Sequence, residues 1–271
     1  MVRVVATARD ITLFIRMNQW RKVAAREPPL TARSVVASTL LGTHPPELPV
    51  RALVRSAALF GISEGTTRVA ISRMLAAGEL EATDGRYRLT GHLLERQARQ
   101  ERSRSPQLRP WNGQWCTAVV TAGGRTPGER AALRSAMAAT RMAELREGVW
   151  LRPDNLDVPR HPHCEWFASR PEGDPGALAR RLWDLDAWAS RAEELRRAMA
   201  GGEAALRAGE PDALAPGFVL SAAVLRHFQA DPLLPRELLP PGWPGEALRR
   251  EYAVYDAAFR EVWRQWVRAP A

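Results

Sequence analysis

Three observations predict an α+β chain. Helical spacing runs through residues 31–77, an Asp84-Gly85 pair separates two short strand-like runs, and long helical spacing returns after Asp174. The layout expected from them is an N-terminal winged helix-turn-helix, a middle ferredoxin-like α+β domain and a C-terminal helical domain. A length of 271 residues accommodates two or three modest domains with real cores.

The N-terminal elements follow from local signals. Thr31 can cap a helix over 31–42 with Val35, Val36, Leu40 and Leu41 on its apolar side and Gly42 as terminator. "THPPELP" reads as a loop, because adjacent prolines stay out of helix. A second helix covers 50–61 and ends at Gly61. Ser63 can cap a third that reaches about Ala77. Leu80–Ala82 and Arg86–Thr90 then form strands around a two-residue Asp84-Gly85 turn. Residues 1–30 form a basic extension in which Met17 is an alternative start, 31–95 the winged helix-turn-helix, and 96–110 a charged linker.

A middle domain is expected over 111–172, with a strand at Trp115–Thr121, a helix at about 127–140, and strands near 148–153 and 164–171. The order β-α-β-β, with room for another element, suggests the ferredoxin-like type. Residues 173–271 read as a helical effector and dimerisation domain with helices at 175–200, 216–230 and 245–267. The last carries Leu248, Tyr252, Tyr255, Phe259, Val262, Trp263 and Trp266 at spacings of three and four. That stripe can pack in cis or line a dimer seam. "DPLLPRELLPPGWPG" reads as a rigid segment whose leucines plug an apolar surface.

The third helix carries the functional reading. Thr67, Ala70, Ile71 and Met74 form its inward stripe, so Thr66, Arg68, Val69, Ser72 and Arg73 collect outside. Donors and short hydroxyls on such a face suit base edges and phosphates in a major groove. Arg86 and Arg88, two apart on one strand, share a face of the wing. The expected DNA-binding set is Ser63, Thr66, Thr67, Arg68, Ser72, Arg73, Arg86 and Arg88. Charge agrees. Residues 1–105 hold 17 Lys+Arg against 9 Asp+Glu, whereas 106–271 hold 22 against 21. A basic third on a neutral remainder points to a polyanion partner. Because Lys22 is the one lysine, an arginine-rich composition explains arginine over lysine but not the imbalance.

Other chemistries find little support. "HPHCEW" groups His161, His163 and Cys164, yet no paired Cys/His motif supplies further ligands, so no metal is expected. The first middle-domain strand, "WCTAVVTAGG", holds no carboxylate for metal-dependent phosphodiester cleavage. No nucleophile elbow or phosphate-loop motif occurs, and no catalytic residue or cofactor is assigned. Two cysteines make no disulfide framework, and no apolar run reaches about 18 residues, so a cytoplasmic protein without membrane association is expected.

Here the chain resembles the PaaX-like family, transcriptional repressors of phenylacetate catabolism and their relatives. "FGISEGTTRVAISRMLAAGELEATDGRYRLT" is similar to that family's recognition helix and wing, "WNGQWCTAVV" with "LREGVWLRPDNL" to its middle domain, and "HFQADPLLPRELLPPGWPGEALRREY" to its C-terminal signature. The resemblance implies a homodimer that binds double-stranded operator DNA and is released by an acyl-CoA effector, phenylacetyl-CoA in the best-known members. It implies arginines on the recognition helix where Arg68 and Arg73 stand, whereas Gly65, Thr66 and Val69 depart from the usual residues. Trp150 and Trp166 are candidates for lining an aryl-acyl pocket, against ordinary packing. The alternatives are a metal-dependent nuclease built on the middle domain and a scaffold whose winged helix binds protein.

Overall fold

The computed structural model describes residues 20–121, 123–124 and 126–268. Most of the basic extension, residues 1–19, lies outside them. The chain is α+β and divides into two compact units. One comprises Met1–Glu101, Glu193–Arg226 and Ala247–Ala271, the other Arg102–Ala192 and His227–Glu246.

In the first unit the order is α1 (Ala32–Leu41), β1 (Glu47–Pro49), α2 (Val50–Ala58), α3 (Glu64–Ala76), β2 (Leu80–Thr83), β3 (Arg86–Leu89) and α4 (Gly91–Arg104). Thr31 caps α1, accepting from the Ser34 N–H, and Ser34 answers with a bond from the Thr31 N–H. That reciprocal box satisfies two donors that the first turn cannot use. Val36, Leu40, Leu53, Ile71, Met74, Leu80, Leu89 and Leu93 then close one core over these four helices and the sheet.

The sheet has three strands in the order β1-β3-β2. Its first strand corrects the sequence reading of "THPPELP" as loop alone, because Glu47, Leu48 and Pro49 pair with Arg88, Tyr87 and Arg86. Pro49 is tolerated because β1 is an edge strand, where the missing N–H breaks no central ladder. Asp84 and Gly85 turn with φ of 51° and 73°, both left-handed, as a two-residue hairpin requires. Helix α4 starts earlier than the linker expectation and runs through most of it. Gln97 Nε2 fastens it by donating to Leu41 O and Thr43 O at 3.0 and 3.2 Å.

The same unit takes parts of α7 (Leu185–Arg207), α8 (Leu214–Gln229) and α9 (Gly245–Arg268). Residues 20–25 are helical and belong to this core, with Trp20, Val23 and Ala24 buried. Arg21 pairs with Glu210, Arg26 with Glu194, and Glu27 with Arg226. Gly202 permits the packing, since a Cβ there would stand 3.1 Å from Tyr255 and 3.5 Å from both Leu220 and Trp20. The Tyr255 hydroxyl donates to Gly217 O at 2.9 Å. Of the aromatic stripe on α9, Leu248, Tyr252, Tyr255 and Phe259 are buried in cis.

The second unit is built on a four-stranded antiparallel sheet, β5 (Ala143–Arg146), β6 (Val149–Pro153), β4 (Trp115–Val120) and β7 (Cys164–Ser169), in that order. Strand β5 was not anticipated; only its Ala143 is buried, so no apolar alternation announces it. Helix α5 (Pro127–Ala139) follows β4 behind a Thr126/Glu129 capping box. Leu133 and Met137 pack on the sheet face that carries Ala118 and Trp150. The opposite face, with Trp115 and Leu151, is covered by α6 (Pro175–Leu182), Leu185, Leu234 and Leu238. The single helix expected over 175–200 is therefore two. Trp183 is extended, and Asp184 restarts the helix by accepting from the Ala187 N–H at 2.9 Å.

Candidate nucleic-acid interface

Helix α3 begins where Ser63 Oγ accepts from the Thr66 N–H at 3.2 Å, and Glu64 in the first turn complements the positive helix end. Thr67, Ile71 and Met74 are buried and Ala70 is half-buried, which turns the opposite side outward. Thr66, Arg68, Val69, Ser72 and Arg73 are exposed, Val69 by 51%. Thr67, which the sequence placed both in the stripe and among the DNA-binding residues, leaves the latter set. Its side chain is fully buried and its hydroxyl donates to Ser63 O at 2.9 Å.

The exposed residues differ in how free they are. Arg68 Nε donates to Glu64 Oε1 at 2.7 Å across one helical turn. Ser63 and Thr66 hydroxyls bond each other at 2.9 Å. Arg73 has no ion-pair partner among the described residues. On the hairpin, Arg86 pairs with Glu47 and Arg88 with Glu81. The face holding the two wing arginines thus carries two carboxylates as well. Such exposed pairs contribute about 0–1 kcal/mol each, so exchanging a carboxylate for a phosphate there is nearly free of cost.

Glu81 was legible in the sequence, because a two-residue turn at Asp84-Gly85 fixes Thr83 opposite Arg86 and Glu81 opposite Arg88. Glu47 was not, since its position depends on β1.

Trp150 and Trp166 are brought together on one sheet face, each opposite Ala118 on a flanking strand. Trp150 is buried against Leu133 and Met137 and serves the core. Trp166 is half-buried, stacked under Arg160 at 4.6 Å, and donates to His161 O at 3.3 Å. A shallow cleft of about 720 Å³ between Leu206–Arg207 and the Ala253–Gln265 side of α9 includes neither tryptophan.

Arg109 occupies both Asp154 and Asp157, at 2.8 and 2.9 Å. His161 and His163 lie with ring centroids 5.4 Å apart. Among the described residues no group of three or more His, Cys, Asp or Glu is placed to hold a metal ion. Nor is any helix among them long and apolar enough to cross a membrane.

An unusual polar centre lies in the second unit. Arg152 is fully buried, and its guanidinium donates to Thr140 O, Pro153 O, Leu233 O and Asn155 Oδ1 at 2.9–3.2 Å. Burial and then the nearby Arg141 push its pKa down to about 10, so it remains ionised at neutral pH. This cluster fastens the "DPLLP" turn to the sheet, and Leu234 and Leu238 plug the apolar face beside it.

Comparison with known proteins gives three consecutive matches. Residues 31–93 match the family described as PaaX-like protein, 108–161 the PaaX protein central Cas2-like domain, and 183–269 the PaaX-like protein C-terminal domain. Among solved structures, an uncharacterized protein, Rv0674, from Mycobacterium tuberculosis is similar. It is 42% identical with a TM-score of 0.70, over 87% of this chain and 98% of that one. No curated protein matches.

Proposed function

The chain belongs to the PaaX-like family, and from that premise we propose that it is a homodimeric, sequence-specific DNA-binding transcriptional repressor of the cytoplasm. The observation that carries the reading is the outward side of α3, where Thr66, Arg68, Ser72 and Arg73 are all exposed. We read residues 31–95 as a winged helix-turn-helix with α3 as its recognition helix and β2–β3 as its wing. The middle sheet, with its helix after the first strand, is read as ferredoxin-like.

In a two-fold dimer each α3 enters one major groove, so the operator is palindromic. Arg68 and Arg73 contact base edges or nearby phosphates, while Arg86 and Arg88 hold the backbone after giving up Glu47 and Glu81. Release follows from an acyl-CoA that prefers a dimer geometry unable to span both half-sites.

Gel shifts with DNA from upstream of its own gene, titrated with salt, test the first part. Sequence-selective retardation that weakens steeply with salt supports it; equal binding to any DNA, or none, removes it. Thermal shifts against a panel of acyl-CoAs, phenylacetyl-CoA included, test the effector. A flat response across the panel removes that part alone.

A further inference from the structure

The sheet of the second unit ends differently on its two sides. At one edge, β5 breaks register with β6 between Glu144 and Arg146, and Glu144, Leu145 and Arg146 are all exposed. An irregularity flanked by charges keeps an edge strand from pairing with another chain. At the other edge, β7 pairs with β4 without a break from Cys164 to Ser169 and holds neither proline nor lysine. The Thr121 N–H donates to His163 O at 3.1 Å, whereas the Val120 N–H donates the other way, to Gly148 O before β6. Odd-numbered residues of β7 therefore bond to β4, and the N–H and C=O groups of Trp166 and Ala168 point off the sheet. Among the described residues no hydrogen-bond partner meets those groups. Between them stands Phe167, 53% exposed, and no other large apolar side chain among the described residues is more so.

We propose that β7 is the seam of the homodimer, pairing antiparallel with the β7 of a second copy about a two-fold axis through Phe167, perpendicular to the sheet. The inference rests on the dimer reading above and names the surface that makes it. In this register Trp166 of each copy lies opposite Ala168 of the other, and the two exchange both backbone bonds. On one face a large indole thus meets a small, exposed side chain. On the other face Phe167 meets its own copy in a non-hydrogen-bonded pair, where cross-strand side chains stand closest. Glu165 falls opposite Ser169, which keeps the two like charges at opposite ends of the seam. An axis through Trp166 would instead set indole against indole and Glu165 against Phe167, and one through Ala168 would leave Phe167 facing Ser169. An unrelated strand would offer no such match of large to small. The aromatic stripe of α9 is the less suited surface, because Leu248, Tyr252, Tyr255 and Phe259 are already buried within their own chain.

Sedimentation equilibrium of the full chain tests this. A seam of 6 residues a side is small for an interface, so we expect a concentration-dependent dimer with a Kd on the order of micromolar. Phe167→Glu sets two carboxylates directly opposite each other and should weaken the dimer at least about tenfold. Ala168→Pro withdraws a donor that points off the sheet and none that bonds β4, so it should weaken the dimer while the fold stays intact. Phe167→Cys should form a disulfide-linked dimer under mild oxidation, because the opposed pair has Cα atoms about 4.5 Å apart. The wild-type chain, whose Cys116 and Cys164 are buried, is the control that should not crosslink.

Far-UV circular dichroism establishes that each variant is folded, and the crosslink decides alone if the other two are not. A dimer undiminished in folded Phe167→Glu and Ala168→Pro, or Phe167→Cys chains that crosslink no faster than wild type, would overturn the seam and leave the homodimer reading in place. A wild-type chain that stays monomeric up to about 100 μM, far above the expected Kd, would remove both.

Discussion

The Trp263 indole N–H donates to the Ser56 hydroxyl at 3.3 Å, and that hydroxyl donates in turn to Ala52 O at 2.8 Å. Residues 207 positions apart in sequence thus join the last helix to α2, the helix immediately before α3. One turn away, Arg55 lies 4.7 Å over the Trp266 ring. Ser56→Ala deletes the hydroxyl and leaves a half-buried indole N–H unpaired. We expect a loss of about 1–3 kcal/mol in stability, read as a lower denaturant midpoint at unchanged slope. An unchanged midpoint would mean that water replaces the hydroxyl without cost.

The two arginines of α3 should not behave alike. Arg68 must give up Glu64 to reach DNA, whereas Arg73 gives up nothing among the described residues. Arg73→Ala should therefore cost operator affinity about 1–3 kcal/mol. Arg68→Ala should cost less, by up to the value of an exposed ion pair. Fluorescence anisotropy on one operator at fixed salt measures both. The reverse order would place Arg68, and hence the N-terminal half of α3, deeper in the groove.

Arg152 offers a test of the second unit. Arg152→Met keeps the length of the side chain but withdraws a donor from four acceptors. It also removes a buried charge that no carboxylate touches among the described residues, Asp154 acting on it only at a distance, and the two effects oppose. Four lost bonds outweigh one relieved charge, so a net loss of about 2 kcal/mol is expected. Arg152→Lys should not restore it, because one ammonium cannot reach acceptors spread over Thr140, Asn155, Pro153 and Leu233. Urea unfolding followed by tryptophan fluorescence distinguishes the two variants.

What the sequence made legible was local. The Ser63 cap, the Thr67-Ile71-Met74 spacing and the Asp84-Gly85 turn each fix geometry within a few residues, and the structure keeps all three. What it concealed depends on distant partners. The Glu47–Pro49 strand exists because β3 offers an edge, and Pro49 with the preceding Pro45 and Pro46 argues against a strand locally. The break at Trp183 carries neither glycine nor proline. Instead, Trp183 leaves the helix to pack beside Trp115, their rings 6.3 Å apart. Trp20 is core because it packs beside Gly202, on a helix about 180 residues away. Thr67 shows the limit of face assignment: its residue type suits DNA, but its position in the helical turn places it inside.

Acid stability should report the Arg33–Glu79 pair. The Arg33 hydrogen bond holds the Glu79 carboxyl below the usual carboxylate range, with burial opposing and the Arg33 and His92 charges assisting. A carboxylate whose folded pKa is depressed leaves the unfolded chain binding more protons than the native one in that interval. Its contribution is therefore complete above about pH 4.3 and is lost as pH falls through the folded value. Glu79→Gln should lower stability at pH 7 and flatten the decline below about pH 4.3, so that the two stability curves converge in acid. Curves that stay parallel down to pH 3 would assign the acid sensitivity to other carboxylates. Arg33→Gln should give the same convergence, because either substitution removes the bond that sets the shift.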